Sequence, residues 1–90
     1  MKITIKNQSS IIGDKTIQAK EGFYKYTSKS GIACERGYYD HYNTFVVEVD
    51  NGMIEVIVGD KVFELYTGRD GQIHVCPLKN VAGEIVGLFV

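Results

Sequence analysis

The sequence "TFVVEVDNGMIEVIVGDKVFELYTGRDGQIHVCP", residues 44–77, carries the strongest secondary-structure signal of the chain. It consists of four short β-favouring runs, separated by Asn51-Gly52, by Gly59-Asp60 and by an Arg-Asp-Gly triplet at residues 69–71. Asn-Gly and Gly-Asp both suit two-residue hairpin turns, and a three-residue loop with a final glycine suits a bulged hairpin. These residues therefore predict a meander of four antiparallel strands.

The turn lengths predict which side chains face each other, since successive side chains of a strand point to opposite faces. The first turn would place Glu48 opposite Glu55, and the second would place Glu55 opposite Glu64. The bulged loop would place His74 opposite Tyr66. One face then becomes uniformly apolar, which supports this register. Its members are Phe45, Val47, Val49, Ile54, Val56, Val58, Phe63, Leu65, Ile73 and Val75.

The rest of the chain also favours strands. Residues 2–6, 16–20 and 23–28 are short β-like segments, whereas residues 32–43 predict a loop with at most one short helical turn. "GEIVGLFV", residues 83–90, predicts a last strand that is either central in a sheet or an edge. We therefore expect one all-β domain over residues 1–90, with six or seven strands, arranged as a small antiparallel barrel or a two-layer sheet.

Composition indicates a folded domain without a membrane segment. The chain has 90 residues, of which 44% are hydrophobic and 23% charged, values typical of a single globular domain. The apolar island near the start is too short for a signal peptide, and "IVGLFV" (residues 85–90) is far shorter than a membrane span. We expect a cytoplasmic protein with no membrane partner, whose two cysteines are reduced.

Charge is unevenly distributed along the chain. The net charge is −1, but residues 1–36 carry seven basic and three acidic side chains, and residues 37–90 carry three basic and eight acidic ones. The two parts therefore have net charges of +4 and −5. Such asymmetry indicates either a polar partner or two halves of one fold that neutralise each other.

The outer face of the predicted meander carries a ladder of three carboxylates. Like charges directly opposite each other destabilise a sheet by a few tenths of a kcal/mol to about 1 kcal/mol per pair. A small domain gains no stability from such a row, so we expect a partner to use it. The residues that we predict to contact this partner are Glu48, Glu55, Glu64, Met53, Tyr66 and His74.

Acidic and apolar side chains together are typical of protein interfaces, where charge sets association rate and anchors slow dissociation. We expect a non-enzymatic protein-binding module whose partner has a basic surface, for example the nucleic-acid groove of an enzyme. A domain that occupies such a groove is an inhibitor that mimics phosphate charge. No motif in the sequence specifies catalytic residues, a metal or a cofactor, so we expect none.

Three alternatives remain open. The lysines of the basic half could instead fold over the ladder and neutralise it, which assigns no function. "FYKYTSKS", residues 23–30, could stack single-stranded nucleic acid on a small barrel. The residues of that alternative site are Tyr24, Lys25, Tyr26 and Lys29. An apolar C-terminal strand, if exposed, could also form a homodimer by strand addition.

Cysteine and histidine give only weak signals. Cys76 follows His74 on one strand face, where the predicted register would put it opposite Glu64, but no Cys-x-x-Cys pair accompanies it. Cys34 with Asp40 and His41 could resemble a thiol nucleophile and its base. Neither spacing is specific for a metal or for catalysis.

Overall fold

The computed structural model describes residues 1–7 and 13–90, which form ten strands and no helix. The strands are β1 (Lys2–Ile5), β2 (Lys15–Gln18), β3 (Lys25–Ser28), β4 (Gly31–Ala33), β5 (Tyr38–Tyr39), β6 (Phe45–Val49), β7 (Met53–Val58), β8 (Lys61–Tyr66), β9 (Gly71–Lys79) and β10 (Ile85–Phe89). The all-β class is confirmed. The number of strands exceeds the expected six or seven, in part because β4 and β5 form where a loop was expected.

The strands form two antiparallel sheets. The first has the order β2-β1-β7-β8, and the second has the order β3-β4-β10-β9-β5, with β6 also paired to β9. One cluster of buried side chains from both sheets lies between them, and it includes Ile3, Ile54, Leu65, Val75 and Leu88. Nine of the ten side chains predicted to line the core face are buried, and Phe45 is partly buried against the cluster.

The second turn of the meander forms as predicted. Gly59 adopts a φ of 63°, which glycine tolerates without strain, and joins β7 to β8. The register has Glu55 opposite Glu64, Val56 opposite Phe63 and Ile54 opposite Leu65. A two-residue Gly-Asp turn was therefore a sufficient signal for this hairpin.

The first turn does not form the predicted hairpin. Strand β6 pairs with β9, so Val47 lies opposite Ile73 rather than opposite a residue of β7. The free edge of β7 is taken by β1, where Ile5 pairs with Val56. Thr67 N–H donates to the carbonyl of Gly52 at 2.8 Å, so Gly52 extends the β7–β8 hairpin. Asn51-Gly52 is thus a corner at which the chain passes from the second sheet to the first.

The third turn is also a corner between sheets. Residues 67–70 connect β8 in the first sheet with β9 in the second, and these two strands do not pair with each other. The prediction of a bulged hairpin here was wrong. Side chains alternate between the two faces of a strand regardless of which strand is hydrogen-bonded beside it. The buried faces of β6 and β9 could therefore be predicted, although the strands that pair with them could not.

The C-terminal strand is central in the second sheet. Leu88 lies opposite Ile32 of β4 on one side and opposite Pro77 of β9 on the other. Gly87 is required here, since an added Cβ would lie 2.4 Å from the carbonyl oxygen of Ile32. Over these residues β10 has no free edge, so the exposed edge needed for dimerisation through this strand is not present.

The margins of the two sheets meet at β3 and β8. Tyr66 N–H donates to the carbonyl of Lys29 at 2.8 Å, and Ser30 Oγ donates to the carbonyl of Tyr66 at 2.7 Å. Glu64 N–H donates to the hydroxyl of Tyr26 at 2.8 Å. These bonds close the domain on one side, which makes the fold intermediate between a barrel and a two-layer sheet. Residues 1–7 and 13–90 contain no helix that could span a membrane.

Candidate functional site

The acidic pair of the candidate site lies on the outer face of β7 and β8. Glu55 and Glu64 are directly opposite each other, and both are exposed. Their outward direction follows from the alternation of side chains, because Ile54, Val56 and Leu65 point into the core. The sequence therefore predicted this pair and its exposure correctly.

Apolar side chains border the pair along both strands. On one side Ile57 lies opposite Val62, whose side chain is 57% exposed, and on the other Met53 lies opposite Tyr66. Ile57 and Met53 are partly buried. The structure thus brings together four of the predicted contact residues, Glu55, Glu64, Met53 and Tyr66, in two adjacent rows.

Glu48 does not belong to this surface, which corrects the predicted ladder. It lies opposite Gln72 on the β6–β9 pair, with its side chain partly buried. Its backbone N–H donates to Oδ1 of Asn7 at 3.1 Å. The ladder of three is absent because β6 pairs with β9 in the second sheet rather than with β7.

His74 is also displaced from its predicted position. It is exposed on β9 opposite Val46, and it does not face Tyr66. Cys76 lies opposite Phe89 of β10 and does not face Glu64. Both errors have the same origin, since β8 and β9 belong to different sheets.

Two lysines of the basic half, Lys6 and Lys20, form ion pairs with acids of the same half. Lys6 Nζ lies 2.9 Å from Asp14, and Lys20 Nζ lies 2.7 Å from Glu35. The hydrogen bond to Asp14 raises the pKa of Lys6, and the charge of Glu55 contributes less. Among the ion pairs that residues 1–7 and 13–90 form with each other, none involves Glu55 or Glu64.

The predicted nucleic-acid platform is only partly present. Tyr24 is buried, and its hydroxyl donates to the carbonyl of Lys20 at 2.8 Å. Burial raises the pKa of this phenol, and its ring is not available to a base. Tyr26, Lys25 and Lys29 remain exposed on or beside β3.

Histidine and cysteine form one contact that the sequence did not indicate. His41 Nδ1 lies 4.0 Å from Cys76 Sγ, whereas Cys34 packs against the core cluster. Burial raises the pKa of the Cys76 thiol, which disfavours the thiolate needed for nucleophilic attack. No group of three or more His, Cys, Asp or Glu side chains is arranged to hold a metal in the described part of the chain.

Several exposed aromatic rings were missed by the sequence reasoning. Phe23 is exposed beside Lys61, whose Nζ lies 3.7 Å from the ring centroid. Tyr39 contacts Phe89, with ring centroids 5.3 Å apart. The aromatic composition of residues 38–42 was visible, but its contact with the C-terminal strand depends on the order of strands in the second sheet.

A comparison with models of known protein families, with curated proteins and with solved structures finds no match for this chain.

Proposed function

We propose that this chain is a non-enzymatic protein-binding module, which uses the outer face of β7 and β8 to occupy a basic surface of a partner protein. The observation that carries the proposal is the exposed Glu55–Glu64 pair, which apolar side chains flank on both sides. The partner surface that complements it is one built to bind nucleic-acid phosphate, such as the groove of an enzyme. The module would then act as an inhibitor.

The electrostatic part of the proposal rests on the charge of the pair. Two carboxylates in directly opposite positions repel each other by a few tenths of a kcal/mol to about 1 kcal/mol. No ion pair between described residues involves Glu55 or Glu64, so these carboxylates remain available to cations of a partner. A lysine or arginine inserted between them would convert the repulsion into attraction. Such complementarity raises the association rate and rejects partners of the wrong charge.

The apolar part of the proposal rests on Val62 and Tyr66. Both side chains are exposed on the outer face of β8, one on each side of the Glu55–Glu64 pair. Apolar anchors beside a polar centre slow dissociation, and tyrosine is enriched among the residues that dominate binding energy. A sheet face of this kind suits another protein surface better than it suits a small substrate, which binds in concave pockets.

We infer a cytoplasmic location for this activity. Both cysteines are free in the structure. Free thiols persist in reducing compartments, where nucleic-acid-binding enzymes with basic grooves are also found.

Affinity capture from a lysate of the source organism tests the proposal. We expect one dominant protein to be retained by the wild-type chain, and its retention to be lost with the double substitution E55Q/E64Q. The matched control is E48Q, because Glu48 lies on the other sheet opposite neutral Gln72. Added heparin should release the partner if its bound surface is a basic groove. Equal retention by wild type and E55Q/E64Q would refute the proposal.

A further inference from the structure

The margin between β3 and β8 carries a second surface of different chemistry, which shares Tyr66 with the outer face of β7 and β8. Three contacts cross this margin in the same order along both segments: Phe23 with Lys61, Tyr26 with Glu64, and Lys29 with Tyr66. Residue numbers increase together on both sides, so the two segments run side by side in the same direction. At about 3.3 Å per residue, the length from Lys61 to Tyr66 is roughly 17 Å. We call this strip the β3–β8 seam.

Aromatic rings and lysines alternate along the seam. The side chains of Phe23, Tyr26 and Tyr66 are 72%, 50% and 45% exposed. Lys61 Nζ lies 3.7 Å from the ring centroid of Phe23, and Lys29 Nζ lies 4.7 Å from that of Tyr66. Cation–π pairs at exposed sites are worth about 0.5–1 kcal/mol each, so they hold the rings only weakly.

The central ring of the seam is fixed by the fold. Tyr26 packs edge-on against buried Phe63, with centroids 5.1 Å apart and an interplanar angle of 77°. Its hydroxyl accepts the N–H of Glu64. Half of the side chain nevertheless remains exposed. An exposed ring that is held in place loses little conformational entropy when a ligand stacks on it.

We propose that the β3–β8 seam binds single-stranded nucleic acid. Bases stack on Phe23, Tyr26 and Tyr66, and the phosphates are neutralised by three lysines, Lys25, Lys29 and Lys61. When a base approaches, the ammonium group of a lysine that lies over a ring can move from the ring to a phosphate. The ring face is then free to stack with the base. Stacking on aromatic side chains is worth about 1–3 kcal/mol per base and tolerates any sequence. Unpaired bases are required, because a duplex offers no free base faces.

Substitution of Glu64 distinguishes this site from the proposed protein-binding face by experiment. Its carboxylate lies on the outer face of β8, and its backbone N–H holds Tyr26 at the seam. A carboxylate close to the bound phosphates repels them, so E64Q should strengthen binding of nucleic acid. The same substitution should weaken capture of a basic protein. The two sites therefore respond to one substitution in opposite directions.

Fluorescence anisotropy with a labelled oligothymidylate at low salt tests the seam. We expect binding by the wild-type chain, and a loss of roughly tenfold or more for F23A/Y66A, whose side chains lie on the surface. K29Q/K61Q should weaken binding and lower the slope of log K against log salt by about 0.7 per lysine. The control is Y42A, because Tyr42 is exposed outside the seam.

Three results would overturn the inference. The first is no binding of the oligothymidylate by the wild-type chain at low salt. The second is equal binding of single-stranded and duplex DNA, which would indicate charge attraction without stacking. The third is an unchanged affinity for F23A/Y66A, with circular dichroism showing that the variant is folded.

Discussion

Glu55 lies directly opposite Glu64 across the β7–β8 hairpin, and neither carboxylate forms an ion pair with another described residue. This arrangement places two like charges on a small domain without a compensating ion pair between described residues. A sequence under selection for stability alone has no reason to keep it. The expected consequences for stability and binding can be measured separately.

Substitution E64Q should stabilise the free domain by a few tenths of a kcal/mol to about 1 kcal/mol, because it removes the repulsion from Glu55. Urea unfolding followed by circular dichroism measures this difference. Glu64 is preferable to Glu55, since Lys6 lies near Glu55 and would lose a favourable interaction. E48Q serves as the control and should leave the free energy of unfolding unchanged. A less stable E64Q would show that the pair is not repulsive.

Asp40 should make the domain sensitive to acid. The hydrogen bond from Lys79 Nζ at 2.7 Å, assisted by one from Asn43, lowers the pKa of Asp40 to about 2 from its usual 3.8. A carboxyl with a lowered pKa stabilises the folded state above its unfolded pKa, and this contribution is lost as the pH falls from 3.8 to about 2.

Substitution D40N should therefore lower stability at neutral pH and reduce its fall across that acid range. Thermal unfolding at a series of pH values measures both effects. Asp14 and Glu35 also have lowered pKa values, so part of the acid sensitivity should remain in D40N. An identical acid dependence in D40N and wild type would contradict the assignment.

Substitution G87A should destabilise the second sheet strongly. The added Cβ would lie 2.4 Å from the carbonyl oxygen of Ile32 and 2.8 Å from the Cβ of Ala33, so β4 and β10 must move apart. Overpacking of this kind costs about 1–3 kcal/mol. The unfolding midpoint in urea measures the loss. A G87A variant as stable as wild type would show that β10 does not pack closely against β4 at this position.

The sequence predicted the Glu55–Glu64 pair correctly and misplaced Glu48, because the position of the pair depends on a local turn and that of Glu48 does not. Gly59-Asp60 connects strands that have no competing neighbour at that edge, so the turn alone determines the register of Glu55 and Glu64. Asn51-Gly52 has the stronger hairpin signal, but β1 occupies the edge of β7 that β6 would need. The position of Glu48 therefore depends on a pairing between residues far apart in sequence, which no local pattern encodes.

The buried face was easier to predict than the strand neighbours. Val47 and Val49 are buried against the common core whether β6 belongs to one sheet or the other. Phe23 and Tyr66 illustrate the opposite case, since they lie on the same margin only because β3 and β8 meet there. A surface formed by segments that are far apart in sequence can be predicted only when the order of the strands is known. The local alternation of side chains does not give that order.

Substitution Y26F should loosen the margin between β3 and β8. It removes the hydroxyl that accepts the N–H of Glu64 and leaves the contact with Phe63 in place. Loss of such a bond costs about 0.5–1.5 kcal/mol. Hydrogen exchange measured by NMR should show faster exchange at the Glu64 amide than in wild type. Y42F is the control, and unchanged protection of Glu64 in Y26F would contradict the observed margin.

Titration calorimetry can measure the dissociation constant of the captured partner for wild type and for E55Q/E64Q. This comparison is the most stringent test of the proposed binding face on β7 and β8. Close charge pairs at protein interfaces are worth about 1.5 kcal/mol or more each, so the double substitution should weaken binding by roughly 100-fold, whereas E48Q should bind as wild type does. Equal dissociation constants for wild type and E55Q/E64Q would contradict the claim that the β7–β8 face is the binding surface.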